Sequence, residues 1–304
     1  MRWVVLLVMA GGCRQFFGLD PVATRDGGRD GIAIDGPRDS QGGTCIERWK
    51  KGPQFGPVGP VAGVNTMTND RAPFVTTDGA QLYFVHDNDF FVATNNNGQG
   101  FGSAVRDDML SSGATDARIY VSNDKLRAFF ASQRPGGDGA TDLWRAARPS
   151  ESDPWLIDQM YLAALNGNGD QSDPFLSDDL LRMYYVAKVN QHQIVFADRA
   201  STSLPFSAGT PVTELATASD DEQPTLTSNE LVIVFTSKRS GNGDLYYATR
   251  ESIQGPFDPP ILVPQLNHPN RADESPYVTP DGCGLYFASD RAGSMDLYAV
   301  SLLD

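Results

Sequence analysis

The chain has 304 residues, of which 40% are hydrophobic and 10% aromatic. That length and composition suffice for a sizeable buried core and exclude a disordered chain. With 24 basic and 38 acidic residues, the formal net charge is −14, which disfavours nucleic acid as a partner because its phosphates are also anionic. The 30 glycines and 20 prolines are spread through the chain without a long amphipathic helical period, and this pattern predicts an all-β fold.

Residues 1–13 have the features of an export signal. A cationic start precedes the apolar run WVVLLVMA, which is too short to cross a bilayer. The GGC that follows resembles the bacterial lipoprotein signal, and this implies a lipid on Cys13 and, because Arg14 comes next, retention in the outer membrane. Secretion without a lipid and a cytoplasmic location remain alternatives. Region 14–45 is predicted to be a flexible linker, and region 46–304 a folded domain.

Five copies of one unit follow, at intervals of about 50 residues. An aromatic strand recurs in LYFVHD, LRAFFASQR, LRMYYVAK, LVIVFTSKR and LYFASDR, which begin at Leu82, Leu126, Leu181, Leu231 and Leu285. A short strand and a polar turn precede each copy, a third strand follows it, and a segment with prolines leads to the next unit. The sequence therefore predicts four strands per unit.

These units resemble the TolB-type propeller repeat, a relative of the WD-type repeat. The family pattern is a strand, SPDG, an aromatic strand that ends in Ser-x-Arg, and then DLY; the last copy matches it with TPDG, ASDR and DLY. The resemblance implies a five-bladed β-propeller of four-stranded antiparallel blades. It also implies a protein contact at one mouth of the ring.

The ends of the repeat region predict how the ring closes. The segment FGPVGPVAGVN, Phe55 to Asn65, has no set of three strands before it. The last set, which ends near Tyr298, has no such segment after it. We therefore expect the N-terminal strand to complete the fifth blade.

An acidic column stands at the start of the first strand of the units. The equivalent positions are Asp70, Asp116, Gln171, Asp221 and Asp273, and the residue after the last two is Glu222 or Glu274. Because first strands line the channel in related propellers, Asp70, Asp116, Asp221, Glu222, Asp273 and Glu274 are candidate binding residues at one mouth. The alternative is structural, with each aspartate accepting hydrogen bonds from its own entry loop.

Other polar motifs are predicted to be structural. Three arginine–aspartate pairs bracket the turn between the second and third strands: Arg134 with Asp142, Arg239 with Asp244, and Arg291 with Asp296. The loop NGNGDQSD lacks the central glycine and final acidic ligand of a calcium loop, so a turn is favoured. Three histidines are scattered without metal-site spacing, and we expect no metal and no cofactor.

No hydrolase elbow, P-loop or dinucleotide motif occurs in the sequence. We therefore expect a monomeric, non-catalytic binding module, attached to the membrane only by its lipid. Its expected partner is an envelope protein with a basic segment. The alternative is a glycan-binding or glycoside-hydrolysing propeller that uses a pair of mouth carboxylates.

The remaining cysteines allow two interpretations. If Cys13 carries a lipid, Cys45 and Cys283 form an even pair in a compartment where disulfides persist. Cys283 lies in the fifth unit, and Cys45 lies shortly before the strand expected to complete it. A bridge would lock the ring covalently; two independent cysteines are the alternative.

Overall fold

The computed structural model describes residues 44–304 except 97, 99, 159–161 and 189. The export signal with Cys13 and nearly all of the predicted linker lie outside the described residues. A short helix, α1 (Cys45–Lys51), precedes twenty strands. They form five sheets of four strands, and every pairing is antiparallel.

The strands follow the predicted repeat. Blade 1 comprises β2 (Asp70–Val75), β3 (Gln81–His86), β4 (Asp89–Thr94) and β5 (Val105–Arg106). Blade 2 comprises β6 (Asp116–Val121), β7 (Arg127–Ser132), β8 (Asp142–Ala147) and β9 (Leu156–Asp158). Blade 3 comprises β10 (Gln171–Leu176), β11 (Arg182–Lys188), β12 (His192–Asp198) and β13 (Thr210–Pro211). Blade 4 comprises β14 (Asp221–Leu226), β15 (Val232–Ser237), β16 (Asp244–Thr249) and β17 (Ile261–Leu262).

Blade 5 is assembled from both ends of the described chain. It comprises β18 (Asp273–Val278), β19 (Gly284–Ser289), β20 (Asp296–Ser301) and β1 (Gly59–Pro60). Gly59 pairs with Ala299, and Pro60 pairs with Tyr298. The five-bladed propeller and its closure by an N-terminal strand are thus confirmed. The closing strand is shorter than the expected segment, although Phe55 adds an isolated bridge to Leu302.

The second strand of each blade contains a run of at least four consecutive buried residues. All six residues of β15 and all six of β19 are buried, because neighbouring blades cover both faces of these strands. Such strands read as nearly continuous apolar runs rather than alternating ones. The aromatic strand that identified the repeat is therefore the packed centre of each blade.

The turn between the first and second strands is built identically in the five blades. In blade 2 the Asp124 Oδ1 accepts hydrogen bonds from the Ser122 hydroxyl and, at 3.0 Å, from the Leu126 backbone N–H. The equivalent acceptors are Asp78, Asp179, Asn229 and Asp281. The following residue has a positive φ, which glycine adopts most easily and which Gly79 and Gly282 provide. The polar turns of the repeat are therefore side-chain-capped turns.

Helix α1 was not expected from the sequence. Trp49 is 1% exposed and donates a 2.8 Å hydrogen bond from its Nε1 to the Gly282 carbonyl oxygen in blade 5. Its ring lies 5.1 Å from that of Tyr247 in blade 4. The helix is short, but its packing on two blades explains its formation, since isolated helices of this length are unstable in water.

A disulfide joins α1 to blade 5. Cys45 and Cys283 are bonded, with their Cα atoms 5.2 Å apart and a sequence separation of 238. The structure therefore contains the disulfide bridge, which is the first of the two interpretations of these cysteines. The ring is closed by β1 through hydrogen bonds and by this bond covalently.

Aromatic side chains close one end of the central channel. The first strands contact one another around the axis. Their fifth residues include Phe74, whose ring lies 5.2 Å from that of Tyr120 and 5.1 Å from that of Tyr277, while Phe175 lies 5.4 Å from Tyr120. The cavity at this end measures about 20 Å³, which is room for roughly one water. At this end, the aromatic rings therefore leave little room for a ligand larger than water.

Candidate functional site

The acidic column lies at the start of the five first strands, but its side chains are hidden. Asp70, Asp221 and Asp273 are 0% exposed, Asp116 is 1% exposed, and Gln171 is 7% exposed. A carboxylate without accessible surface cannot contact a ligand in this conformation. The acidic column is therefore a buried part of the channel wall, below the mouth.

One oxygen of each buried acid caps its own entry loop. The Asp221 Oδ2 accepts a 2.9 Å hydrogen bond from the Thr217 backbone N–H and another from the Thr217 hydroxyl. The Oδ2 atoms of Asp70, Asp116 and Asp273 accept equivalent backbone bonds from Thr66, Ser112 and His268. In blade 3 the Gln171 Oε1 accepts from the Gly167 N–H at 3.0 Å. These bonds are those expected from the structural interpretation of the column.

In three blades the other carboxylate oxygen of the buried aspartate pairs with an arginine, and these pairs differ from the predicted ones. The Arg239 Nη2 lies 2.6 Å from the Asp221 Oδ1, and Arg134 and Arg291 pair in the same way with Asp116 and Asp273, at 2.8 and 2.5 Å. The predicted partners Asp142, Asp244 and Asp296 bond instead to their own hairpin turns. The prediction was wrong because each guanidinium folds back across the blade, over an aromatic ring, to the first strand. There it compensates a buried charge, which contributes more than a bond across an exposed turn.

Glu222, one residue beyond the column, belongs to a charged cluster between blades 3 and 4. Its Oε1 lies 2.6 Å from the His192 Nδ1, and its Oε2 lies 3.0 Å from the Lys238 Nζ. Asp220 completes the cluster: its Oδ1 accepts a 3.0 Å hydrogen bond from the His192 backbone N–H, and its Oδ2 lies 3.4 Å from Lys238. The arrangement brings two acidic and two basic side chains together at the mouth.

The cluster changes the ionisation of its members. Burial opposes ionisation of Glu222, but the close contacts and charges of His192 and Lys238 outweigh it, so the pKa of Glu222 is lowered. The close contact of its Nδ1 with the Glu222 carboxylate raises the pKa of His192. The pKa of Asp220 is lowered, chiefly because its carboxylate accepts the His192 backbone N–H. Both carboxylates are therefore stabilised as anions.

Glu274 occupies the equivalent position on the neighbouring first strand. Its carboxylate has no hydrogen bond or ion pair to any residue in the described part of the chain. Burial, and the nearby charge of Glu222, raise its pKa, while Lys238 and Arg71 act in the opposite direction. A Cβ added at Gly243 would lie 2.3 Å from the Glu274 Oε1, so the glycine leaves room for this side chain. Glu274 is thus a half-buried acid seated at the mouth.

Sequence reasoning found Glu222 and Glu274 but missed His192, Asp220 and Lys238. The histidines were judged scattered because spacing along the chain was used to search for sites. His192 begins the third strand of blade 3, whereas Glu222 lies on the first strand of blade 4, so the two meet only when the blades are placed side by side. The loop NGNGDQSD forms a turn in which Asn166 bonds both backbone groups of Leu143.

No helix in the described part of the chain is long and apolar enough to cross a membrane.

Comparisons with known proteins support the fold and leave the family open. No protein-family model matches the sequence, and no curated protein does. TolB from Acinetobacter baumannii is similar in structure at 15% identity and a TM-score of 0.50, over 77% of this chain and 54% of that one. The matched region is 54% of that TolB chain, so this chain spans about half of its length.

Two glycosidases are also similar. A thermostable family-43 glycoside hydrolase has 15% identity and a TM-score of 0.54, over 80% of this chain and 92% of that one. An α-L-arabinofuranosidase from Lactobacillus brevis has 14% identity and a TM-score of 0.53, over 80% and 93%. At such identities the likeness is one of fold. The protein is a five-bladed β-propeller similar in fold to TolB and to propeller glycosidases.

Proposed function

We propose that this protein is a non-catalytic binding module whose channel mouth recognises a basic segment of a partner protein in the cell envelope. The observation that carries the proposal is Glu274, a carboxylate at the mouth without an ionic partner among the described residues. Its neighbour Glu222 already has His192 and Lys238 within ion-pair distance. A lysine or arginine from a partner would supply the missing cation, and charge-assisted hydrogen bonds of this kind are among the stronger polar contacts.

Cross-linking in membranes of the native source tests this proposal. Full-length protein and a Glu274→Gln variant are compared by quantitative mass spectrometry. Glu214→Gln is the matched control, since Glu214 is exposed and lines a groove whose lining includes neither Glu222 nor Glu274. We expect one protein to be depleted from the Glu274→Gln sample and retained with the control. Equal recovery with all three proteins would contradict recognition through Glu274.

The proposal includes export and a lipid anchor on Cys13. It rests on the short apolar run and the small residues before this cysteine. Replacing Cys13 with serine should move the protein from the detergent phase to the aqueous phase of a Triton X-114 separation. Wild-type protein already in the aqueous phase would exclude the anchor and leave secretion or a cytoplasmic location.

Glycoside hydrolysis is the second candidate function. It is favoured by the position of Glu222 and Glu274, which are equivalent residues of adjacent first strands at the open mouth. Glycosidases use two such carboxyl groups, one as acid and the other as base or nucleophile. Glu274, half-buried and unpartnered, would serve as the acid, and the ion-paired Glu222 as the second group.

An assay with aryl glycosides separates the two functions. Turnover that is lost in both Glu222→Gln and Glu274→Gln, and is retained in Glu214→Gln, would establish the hydrolase. Absence of turnover across furanosides and pyranosides, together with a partner found by cross-linking, would support the binding module.

A further inference from the structure

We infer that His192, Asp220 and Glu222 form a binding site for a divalent cation of the zinc type. These side chains each offer one ligand atom, and the three atoms lie within 4.8 Å of one another. The His192 Nδ1 is 2.6 Å from the Glu222 Oε1 and 3.4 Å from the Asp220 Oδ1. Ligand atoms around tetrahedral zinc are separated by about 3.4 Å, given metal–ligand distances of about 2.0 to 2.2 Å.

The His192 Nδ1 provides an independent reason to expect a ligand. This atom is shielded from solvent, yet it makes no hydrogen bond of good geometry, although the Glu222 Oε1 lies 2.6 Å away. A buried nitrogen in this state is rare in folded proteins. Around a shared cation, ligand atoms lie close together without being aligned for a hydrogen bond to one another.

The surroundings hold the ligand atoms in place before a cation arrives. The His192 backbone N–H donates to the Asp220 Oδ1 at 3.0 Å, and His192 and Asp220 flank the boundary between two rigid blades. Hydrogen bonds that orient metal ligands in this way affect affinity by about 10- to 100-fold. The site is therefore preorganised on its protein side.

The donor set selects the kind of cation. One imidazole nitrogen and two carboxylate oxygens suit zinc and similar first-row metals, whereas calcium requires about six to eight oxygen ligands. The three protein atoms would leave a fourth position for water or for a ligand at the mouth. Lys238 contacts the outer oxygens, Glu222 Oε2 at 3.0 Å and Asp220 Oδ2 at 3.4 Å, and its charge weakens the binding of a cation.

Isothermal titration of the full-length chain with zinc chloride tests the inference. All samples carry Cys13→Ser, because a free thiol would itself bind zinc. We expect one zinc per chain and a loss of affinity of at least about tenfold in His192→Ala and in the nearly isosteric Glu222→Gln. His268→Ala is the control; this histidine is outside the cluster and should leave the affinity unchanged.

Lys238→Met makes the test sharper because its expected effect has the opposite sign. Removal of a neighbouring positive charge should strengthen zinc binding, and weaker binding would overturn the assignment. Absence of a one-to-one complex in the parent protein would also overturn it. If His192→Ala fails to fold, as judged by circular dichroism, Glu222→Gln decides; unchanged affinity in that variant would likewise exclude the site.

Discussion

Blades 2, 4 and 5 differ from blades 1 and 3 in how they compensate the polar group at the start of the first strand. In blades 2, 4 and 5 a buried aspartate pairs with an arginine two residues beyond the second strand. In blade 1 Asp70 pairs instead with His86, at 2.9 Å. In blade 3 the acid is replaced by Gln171, and Ala187 stands opposite it in the strand pair.

This difference shows which property of the position is essential. In all five blades the side-chain oxygen caps the entry loop, whether it belongs to a carboxylate or to an amide. The cation is present only where there is a charge to compensate. An acceptor is therefore required for the turn, and each buried acid has a nitrogen-bearing partner, which is an arginine in blades 2, 4 and 5 and His86 in blade 1.

The largest expected effect comes from breaking one of the arginine pairs. Arg239→Met would leave Asp221 buried and uncompensated, and we expect a loss of about 3 to 5 kcal/mol in the free energy of unfolding. Urea denaturation followed by circular dichroism measures it. The double variant Asp221→Asn, Arg239→Met should be more stable than the single one, because no charge remains buried. A loss below about 1 kcal/mol in Arg239→Met would contradict this account of the buried pair.

The second prediction compares blade 5, the only blade assembled from both ends of the described chain, with the other blades. Replacing Cys45 and Cys283 together by serine should lower the free energy of unfolding by about 2 to 5 kcal/mol, because the unfolded chain loses a long-range constraint. Thermal unfolding with and without reductant measures the effect. Reductant should destabilise the wild type and have no effect on the variant; a wild type that is insensitive to full reduction would argue that β1 pairing and α1 packing alone hold the ring closed.

The third prediction places an acid where blade 3 has none. Gln171→Asp should cost about 1 to 3 kcal/mol at neutral pH, since the new carboxylate would be buried without an arginine. Protonation relieves this cost, so the deficit should shrink as the pH falls. Gln171→Asn is the uncharged control of the same size. Equal stability of the two variants at neutral pH would show that blade 3 tolerates the charge.

The smallest expected effect concerns the turns between first and second strands. The pKa of Asp124 is lowered below its usual value of 3.8; burial acts against this, but the Ser122 hydroxyl, the Leu126 N–H and Arg127 outweigh it. The stability from this turn is therefore fully present above about pH 5 and is lost as the pH falls through the lowered pKa. The turn is exposed, so we expect less than about 0.5 kcal/mol.

Blade 4 offers the natural control for this effect, because Asn229 makes the equivalent bonds without a charge. Stability measured from pH 7 to pH 3 should depend less on pH in Asp124→Asn than in the wild type. An Asn229→Ala variant should be destabilised equally across the same range. Identical pH profiles for Asp124→Asn and the wild type would assign the acid sensitivity to other carboxylates.

The sequence by itself determined the number of blades, the four strands of each and the closure of the ring. These follow from a repeated order of short strands and polar turns, and from a repeat that is complete only when the N-terminal strand joins the last blade. The aromatic second strands identified the repeat because burial on both faces favours apolar side chains at most positions, whatever the neighbouring blade contains.

The tertiary structure alone decided which side chains meet. Arg239 pairs with Asp221 rather than with Asp244, which is closer in sequence. The reason is that a buried carboxylate without a cation destabilises the fold more than an exposed one. His192 reaches Glu222 only across the boundary between two blades, and the spacing of residues along a strand contains no information about that distance. Helix α1 forms because Trp49 is buried against blades 4 and 5. The stabilisation from this burial is tertiary, and seven residues could not form a stable helix on local interactions alone.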